Sequence, residues 1–196
     1  LICLPAGILN GLSHDLFYDG SKYSENLTTS FLGPAWAEEL LKFSILYLIV
    51  LKRNEFNEPM DGLVYGAVVS LGFATYENYT YVYEMAEIIA KEENVNLAEM
   101  SYLIALLRSY SAIPMHGLNG AVMGYYFGMY IFTGNKRFLI LSIILPYLFH
   151  GFYNFLVWPN PMIIIGILII FSLYLHGDLK KKQKLKKNEA EIKKVS

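Results

Sequence analysis

Apolar residues run in long blocks along this chain, divided by short polar stretches, and most blocks are long enough to be membrane-crossing helices. Leu1 to Leu12 is apolar but too short to cross. It lacks a basic start and a small-residue cleavage site, so it reads as the remainder of a first helix, not a signal peptide. Ser13 to Phe31 is polar and rich in turn formers, which predicts a loop. A second span is expected from about Pro34 to Leu51, with the proline near its first turn and Lys52-Arg53 closing it. After a short loop, a third runs from about Asp61 to Tyr83, with Gly62, Gly66, Ala67 and Gly72 allowing close helix approach. The acidic stretch with Glu84, Glu87, Glu92, Glu93 and Glu99 is expected to be a loop. Leu97 to Ser111 has helical spacing over too few residues to cross alone. Pro114 breaks the pattern, and a fourth full span follows to about Phe132. Thr133 to Arg137 is a tight basic loop, about Phe138 to Trp158 is the next span, and Pro159-Asn-Pro161 turns the chain into a last apolar run, Met162 to Leu175. The fold class predicted is all-α: a polytopic transmembrane helical bundle of about six spans, the first truncated, plus a short extracytoplasmic or re-entrant helix at about 97–111.

Composition agrees. The chain has 196 residues, 55% hydrophobic with 16 Tyr and 12 Phe, which excludes an ordinary soluble domain. A net charge of −1 hides an asymmetry, because eight of the 16 basic residues lie between Asp178 and Ser196. Residues 1–177 therefore read as one transmembrane domain and 178–196 as a Lys-rich cytoplasmic tail against anionic lipid, with no nucleic-acid partner. Lys52-Arg53, Lys136-Arg137 and this tail fall on one side of the predicted spans and the acidic 84–99 stretch on the other, which makes the protein a multi-pass cell-membrane protein with its C-terminal tail inside. The single cysteine, Cys3, excludes an internal disulfide and any Cys-based zinc cluster.

Ionisable residues inside these spans are the candidate chemistry. Each costs about 2.5–3.5 kcal/mol to insert even on the lenient scale, so they normally face a bundle interior or a wet cavity. Glu38 and Lys42 are one helical turn apart and suited to pair, with Glu39 about 100° round the helix. Counting about 1.5 Å per residue from the outer span ends, Glu38 lies about 6 Å deep, Glu77 about 9 Å, His116 in the first turn and His150 about 12 Å. Side chains on four helices at one depth point to a single site. Two carboxylates in a poorly solvated pocket push one of them toward acid–base work near neutral pH, and a water between them would be set to attack a carbonyl. His150 and Asn154, at i and i+4, are suited to donate to an oxyanion, while His116 supplies another donor or a metal ligand. Arg108 is a candidate for steering a substrate carboxylate. Packing roles stand beside each of these: an ion pair fixing helix contacts, interfacial histidines, Asn154 as interhelical glue, and Tyr-rich span ends as an aromatic belt.

Taken together, Glu38-Glu-Leu-Leu-Lys42, the stretch Asp61 to Asn78 with Phe73-Ala-Thr-Tyr-Glu77, Pro114-Met-His116 and His150-Gly-Phe-Tyr-Asn154 resemble the PrsW family of intramembrane proteases. The likeness covers roughly residues 30 to 158. The family is similar to the CAAX prenyl endopeptidase (ABI) superfamily, with Glu77 where that superfamily carries His. The resemblance implies an intramembrane endopeptidase that cuts a membrane-anchored protein, such as an anti-sigma factor, near the extracytoplasmic face. By analogy it makes Glu38 the general base, Glu39 its support, Glu77 a holder of the water, and His150 with Asn154 the oxyanion site. No His-Glu-x-x-His is present, and a glutamic mechanism without cofactor is favoured. The zinc alternative would draw on Glu38, Glu77, His116 and His150. Two other classes stay open: an ion- or proton-coupled transporter, disfavoured by the off-centre site and lack of internal repeat, and a noncatalytic signalling or immunity protein of the same fold. Substrate, cut position, oligomeric state and regulation are not encoded legibly, nor is what precedes Leu1.

Overall fold

The computed structural model describes residues 3–52, 54–156 and 160–195, with side chains throughout those ranges except at 3–6, 10, 23 and 185–195. Arg53, Trp158 and Pro159, and with them the expected end of the fifth span and its proline turn, lie outside the described residues. Every element among those residues is helical. In order they are α1 (Cys3–Phe17), α2 (Lys22–Leu27), a π-helical stretch (Thr28–Ala35), α3 (Trp36–Leu48), a 3-10 turn (Val50–Lys52), α4 (Pro59–Tyr79), a second π-helical stretch (Thr80–Met85), α5 (Ala86–Glu92), α6 (Leu97–Tyr110), α7 (Ala112–Thr133), α8 (Lys136–Phe155) and α9 (Met162–Val195).

Two expected loops are helical instead. Within Ser13 to Phe31 the chain enters α2 at Lys22, because the Ser21 hydroxyl accepts from the Ser24 N–H (3.1 Å), and it continues without a break through Pro34 into α3. Pro34 is therefore inside a helix, not at its start; the wider π turn tolerates a residue that has no N–H to give. The acidic stretch likewise holds α5 as a direct continuation of α4, since glutamates are good helix formers, and the chain turns only at Glu93–Asn96. Elsewhere the starts follow sequence signals. Glu58 and Asp61 form a capping box with Pro59 in the first turn of α4, and Asn96 and Asn135 cap α6 and α8.

The central contact is between α4 and α7, which run antiparallel along a seam of small residues. A Cβ placed on Gly66 would stand 2.2 Å from the Gly120 carbonyl oxygen, and one on Gly124 would stand 1.9 Å from that of Gly62. Only glycine allows backbones this close. α7 is buried at most positions from Ala112 to Met129, with α8 and α9 packing on another side around Met115, Val122, Ile165 and Leu168. On α8, Gly151 receives the ring of Phe31 from the first π-helical stretch; a Cβ there would lie 2.1 Å from a ring carbon. That notch fixes the entry to α3 against the end of α8.

Two helices, Lys136–Phe155 and the Met162–Lys184 part of α9, are long and apolar enough to cross a membrane. Both show the inverted surface expected in lipid: Ile140, Ile144, Leu148 and Phe152 make an exposed apolar stripe on α8, and Ile163, Ile167, Ile170 and Tyr174 make one on α9. α7 is not among these two; it is enclosed by protein at most positions and carries glycines, His116 and Asn119. The basic segments share one end of the bundle. Phe56 stacks on Phe132 with centroids 5.8 Å apart, and Gln183 donates to Glu58 (2.8 Å), so Lys52, Lys136, Arg137 and Lys182 lie there, while Glu84 to Glu99 lie at the opposite end.

Candidate active site

Glu38, Glu39 and Lys42 occupy successive faces of α3, Glu77 the last turn of α4, Arg108 the last turn of α6, His116 the first turns of α7, and His150 and Asn154 the end of α8. The antiparallel seam carries Glu77 to His116, and the Phe31 notch carries α3 to His150. All of them meet at the acidic end of the bundle.

Contacts join all of these but Asn154, which reaches the site only as part of the cavity wall, into one chain. Lys42 Nζ donates to Glu39 Oε1 at 2.8 Å, lies 3.5 Å from Glu38 Oε2, and is 3.0 Å from His116 Nδ1. His116 Nε2 meets Glu77 Oε2 at 2.7 Å, and the same oxygen accepts from Arg108 Nη2 at 2.8 Å. His150 Nδ1 meets Glu39 Oε1 at 2.8 Å, and its Nε2 faces Glu38 Oε2 at 3.9 Å. The two imidazoles stand edge to face, 5.3 Å between centroids. Lys42 thus bonds to Glu39 at i+3 in preference to Glu38 at i+4: the long stem swings, and Glu39 turns inward to reach α8. His116 is satisfied by the tautomer with its proton on Nε2, donating to Glu77 and accepting from Lys42.

The three carboxylates are therefore unlike. Glu77 is held by Arg108 and His116, and Glu39 by Lys42 and His150. Glu38 Oε2 accepts no hydrogen bond, although it is buried. Glu39 Oε2 also accepts none, but Glu39 is fully enclosed. Beside the cluster opens a cavity of ≈ 1010 Å³, walled among others by Lys22, Glu38, Tyr81, Arg108, Tyr153 and Asn154. Of the three carboxylates only Glu38 lines it. Arg108 is pinned within this wall: its Nε donates to Asn78 Oδ1 at 2.5 Å and its guanidinium lies 4.1 Å over the Tyr81 ring.

Glu38, His116 and His150 each offer one ligand atom within 4.8 Å of the others. One carboxylate and two imidazoles are a donor set that suits catalytic zinc, and Glu39 on His150 Nδ1 is the kind of outer partner that orients a ligating histidine. Glu77, named in the zinc alternative, stands behind His116 instead and is not in this converging set. Sequence reasoning passed over Lys42 as a member of the site, and Tyr81 and Tyr153 as part of its wall. Helical spacing was the available signal: Tyr81 is four residues after Glu77 and Tyr153 three after His150.

Because Lys42 is wholly buried, removing its shortest partner leaves an uncompensated charge. Glu39→Leu is expected to destabilise the folded chain by about 3–5 kcal/mol. Thermal unfolding in detergent measures this, and a variant as stable as the original would mean that Glu38 and His116 suffice to hold Lys42.

Comparison with known proteins bears on this geometry. The profile of the family described as PrsW family intramembrane metalloprotease matches residues 1–176. Protease PrsW of Clostridioides difficile (strain 630) is 31% identical over 162 residues, 78% of this chain and 63% of the relative. The proteins of the same name from Geobacillus kaustophilus (strain HTA426) and Bacillus subtilis (strain 168) are 39% identical over 129 residues and 38% over 130, each covering 65% of this chain and 51% and 53% of the relative. The chain thus spans less than two thirds of the length of these relatives. No solved structure matches it significantly. With the profile covering nearly the whole chain, and with Glu38, Glu77, His116 and His150 drawn from four helices into one cluster, the chain belongs to the PrsW family.

Proposed function

We propose that this chain is an intramembrane endopeptidase that hydrolyses a peptide bond of a membrane-anchored protein, and that Glu38 activates the attacking water. The observation that carries the reading is the asymmetry of the three carboxylates: of them Glu38 alone lines the cavity, and its buried Oε2 accepts no hydrogen bond, while Glu39 and Glu77 are each held by two partners. In this mechanism Glu38 takes a proton from water as its oxygen attacks the scissile carbonyl carbon. The negative charge that develops on the carbonyl oxygen is met by the Asn154 amide and by His150 Nε2 once that nitrogen carries a proton. Glu38 then passes its proton to the leaving amine nitrogen. Glu39 holds the His150 ring through Nδ1, and Glu77 holds His116. Arg108 and Tyr81 form the wall against which substrate lies.

The glutamic route is favoured over a zinc route because the Nδ1 lone pair of His116 is taken by Lys42. Were zinc bound, Glu38, His116 and His150 would hold it, and it would supply a polarised water. We further propose about six spans, with the basic end of the bundle and the Lys tail in the cytoplasm, so that the centre opens near the extracytoplasmic face and takes single-span proteins of the anti-sigma-factor kind. The superfamily relationship to CAAX prenyl endopeptidases belongs to the same reading.

The test is cleavage of single-span membrane proteins by the purified chain in lipid nanodiscs, with fragments identified by mass spectrometry. Cleavage that survives a chelator is expected. Chelator-sensitive cleavage restored by zinc would reverse the choice of mechanism, and no cleavage of any such substrate would remove the peptidase reading. With a cleaved substrate in hand, Asn154→Ala is expected to lower kcat by about 10²–10³-fold with KM little changed. A pure KM effect would move Asn154 to substrate binding.

A further inference from the structure

Lys42 is more than a packed counter-ion. It is wholly enclosed, and from a single point its Nζ reaches Glu39 Oε1 (2.8 Å), His116 Nδ1 (3.0 Å) and Glu38 Oε2 (3.5 Å), with the face of the Phe73 ring 4.5 Å away. Two of these partners, Glu38 and His116, also belong to the three-residue set whose ligand atoms lie within 4.8 Å of one another. A zinc ion in that set would sit about 2.0–2.2 Å from each donor, drawing the ligand atoms to about 3.3 Å apart. A ring nitrogen has one lone pair. His116 Nε2 spends its proton on Glu77, so Nδ1 is the nitrogen free to bind a cation, and Lys42 already holds it. Metal and ammonium would need the same lone pair and the same carboxylate, and at that spacing they repel.

We propose that the Lys42 ammonium is the resident cation of this centre, filling the place between Glu38 and His116 that a divalent metal would take, so that metal enters only where Nζ has left. The inference rests on the proposed function only for the identity of the cluster. Metal uptake is read independently of cleavage, so either proposal can fail alone.

The experiment is metal binding to the untagged chain in detergent, with Co²⁺ as the spectroscopic probe and bound metal counted by elemental analysis. Lys42→Met, which keeps the stem and removes the charge, is expected to bind one equivalent of Co²⁺ roughly 100-fold or more tightly than the unchanged chain, and to show the visible bands of a low-coordinate site. Adding His150→Ala should abolish the gain. Lys42→Gln should reproduce it, whereas Lys42→Arg, still cationic, should not. Equal affinity in Lys42→Met and the unchanged chain, or no binding by folded Lys42→Met, overturns the proposal. Should neither neutral variant fold, the unchanged chain decides. One equivalent bound at micromolar concentration and lost in Glu38→Gln overturns it, and no uptake up to millimolar Co²⁺ sustains it.

Discussion

Glu38→Gln is expected to abolish measurable cleavage, a loss of about 10²–10⁴-fold in kcat, while lowering the melting temperature less than Glu39→Leu does. The two halves of this expectation have separate causes. Gln has the shape of Glu but no basic oxygen, so it cannot take a proton from water. Glu38 Oε2 accepts no hydrogen bond and stands 3.5 Å from Lys42 Nζ, a looser pairing than the 2.8 Å bond of Glu39, so the neutral amide costs less stability than loss of Glu39 does. Glu77→Gln should behave differently. Its oxygen accepts from Arg108 and meets His116, and weakening those contacts loosens α6 and α7 against α4. Lower stability should accompany lower activity there. If Glu38→Gln retained full activity on a verified substrate, the general base would lie elsewhere and the proposed mechanism would fail.

The largest effect on stability is expected at the glycine seam. Gly124→Val places side-chain atoms where the Gly62 carbonyl and the Gly66 Cα already lie, 1.9 and 3.0 Å from the position of a Cβ, and the obstacle is backbone that cannot rotate away. Overpacking in a core typically costs 1–3 kcal/mol, roughly, and a clash with main chain on the central helix pair should exceed that range. The expected outcome is loss of the folded protein from the membrane fraction. Gly72→Ala is the internal control: it lies on the partner helix α4, a Cβ there meets nothing within 4 Å, and it should be neutral or slightly stabilising through helix propensity. A fully folded Gly124→Val would show that α4 and α7 can separate without penalty.

The centre was legible in sequence to the extent that helical arithmetic reaches. Counting rise per residue brings Glu38, Glu77, His116 and His150 to one depth, and the structure brings all four into one contact chain. The same arithmetic says nothing about which side chain meets which. The i,i+4 spacing pairs Lys42 with Glu38, but its shortest partners are Glu39 and, from another helix, His116, a tertiary contact that no local pattern encodes. Reading Tyr-rich span ends as an aromatic belt gives no reason to single out Tyr81 or Tyr153, because a membrane protein has many tyrosines at helix ends. Helix boundaries failed where polar composition masked helical continuity, at Lys22–Phe31 and at Glu84–Glu92, and where Pro34 looked like a first-turn proline. The two clearly apolar helices, α8 and α9, were legible because they face outward. α7 was harder to weigh because its glycines, His116 and Asn119 face protein on nearly every side.

The contact of main chain against main chain between α4 and α7 has a mechanical corollary. Side chains can repack when a bilayer thickens or a ligand arrives, but two backbones in van der Waals contact have no rotamers to exchange, and sliding past one another would drive carbonyl oxygens into α-carbons. The carboxylate of Glu77 and the imidazole of His116 are therefore carried on a single stiff strut. The spacing between these two groups is thus set by main chain and does not vary with the rotamers of the side chains around them.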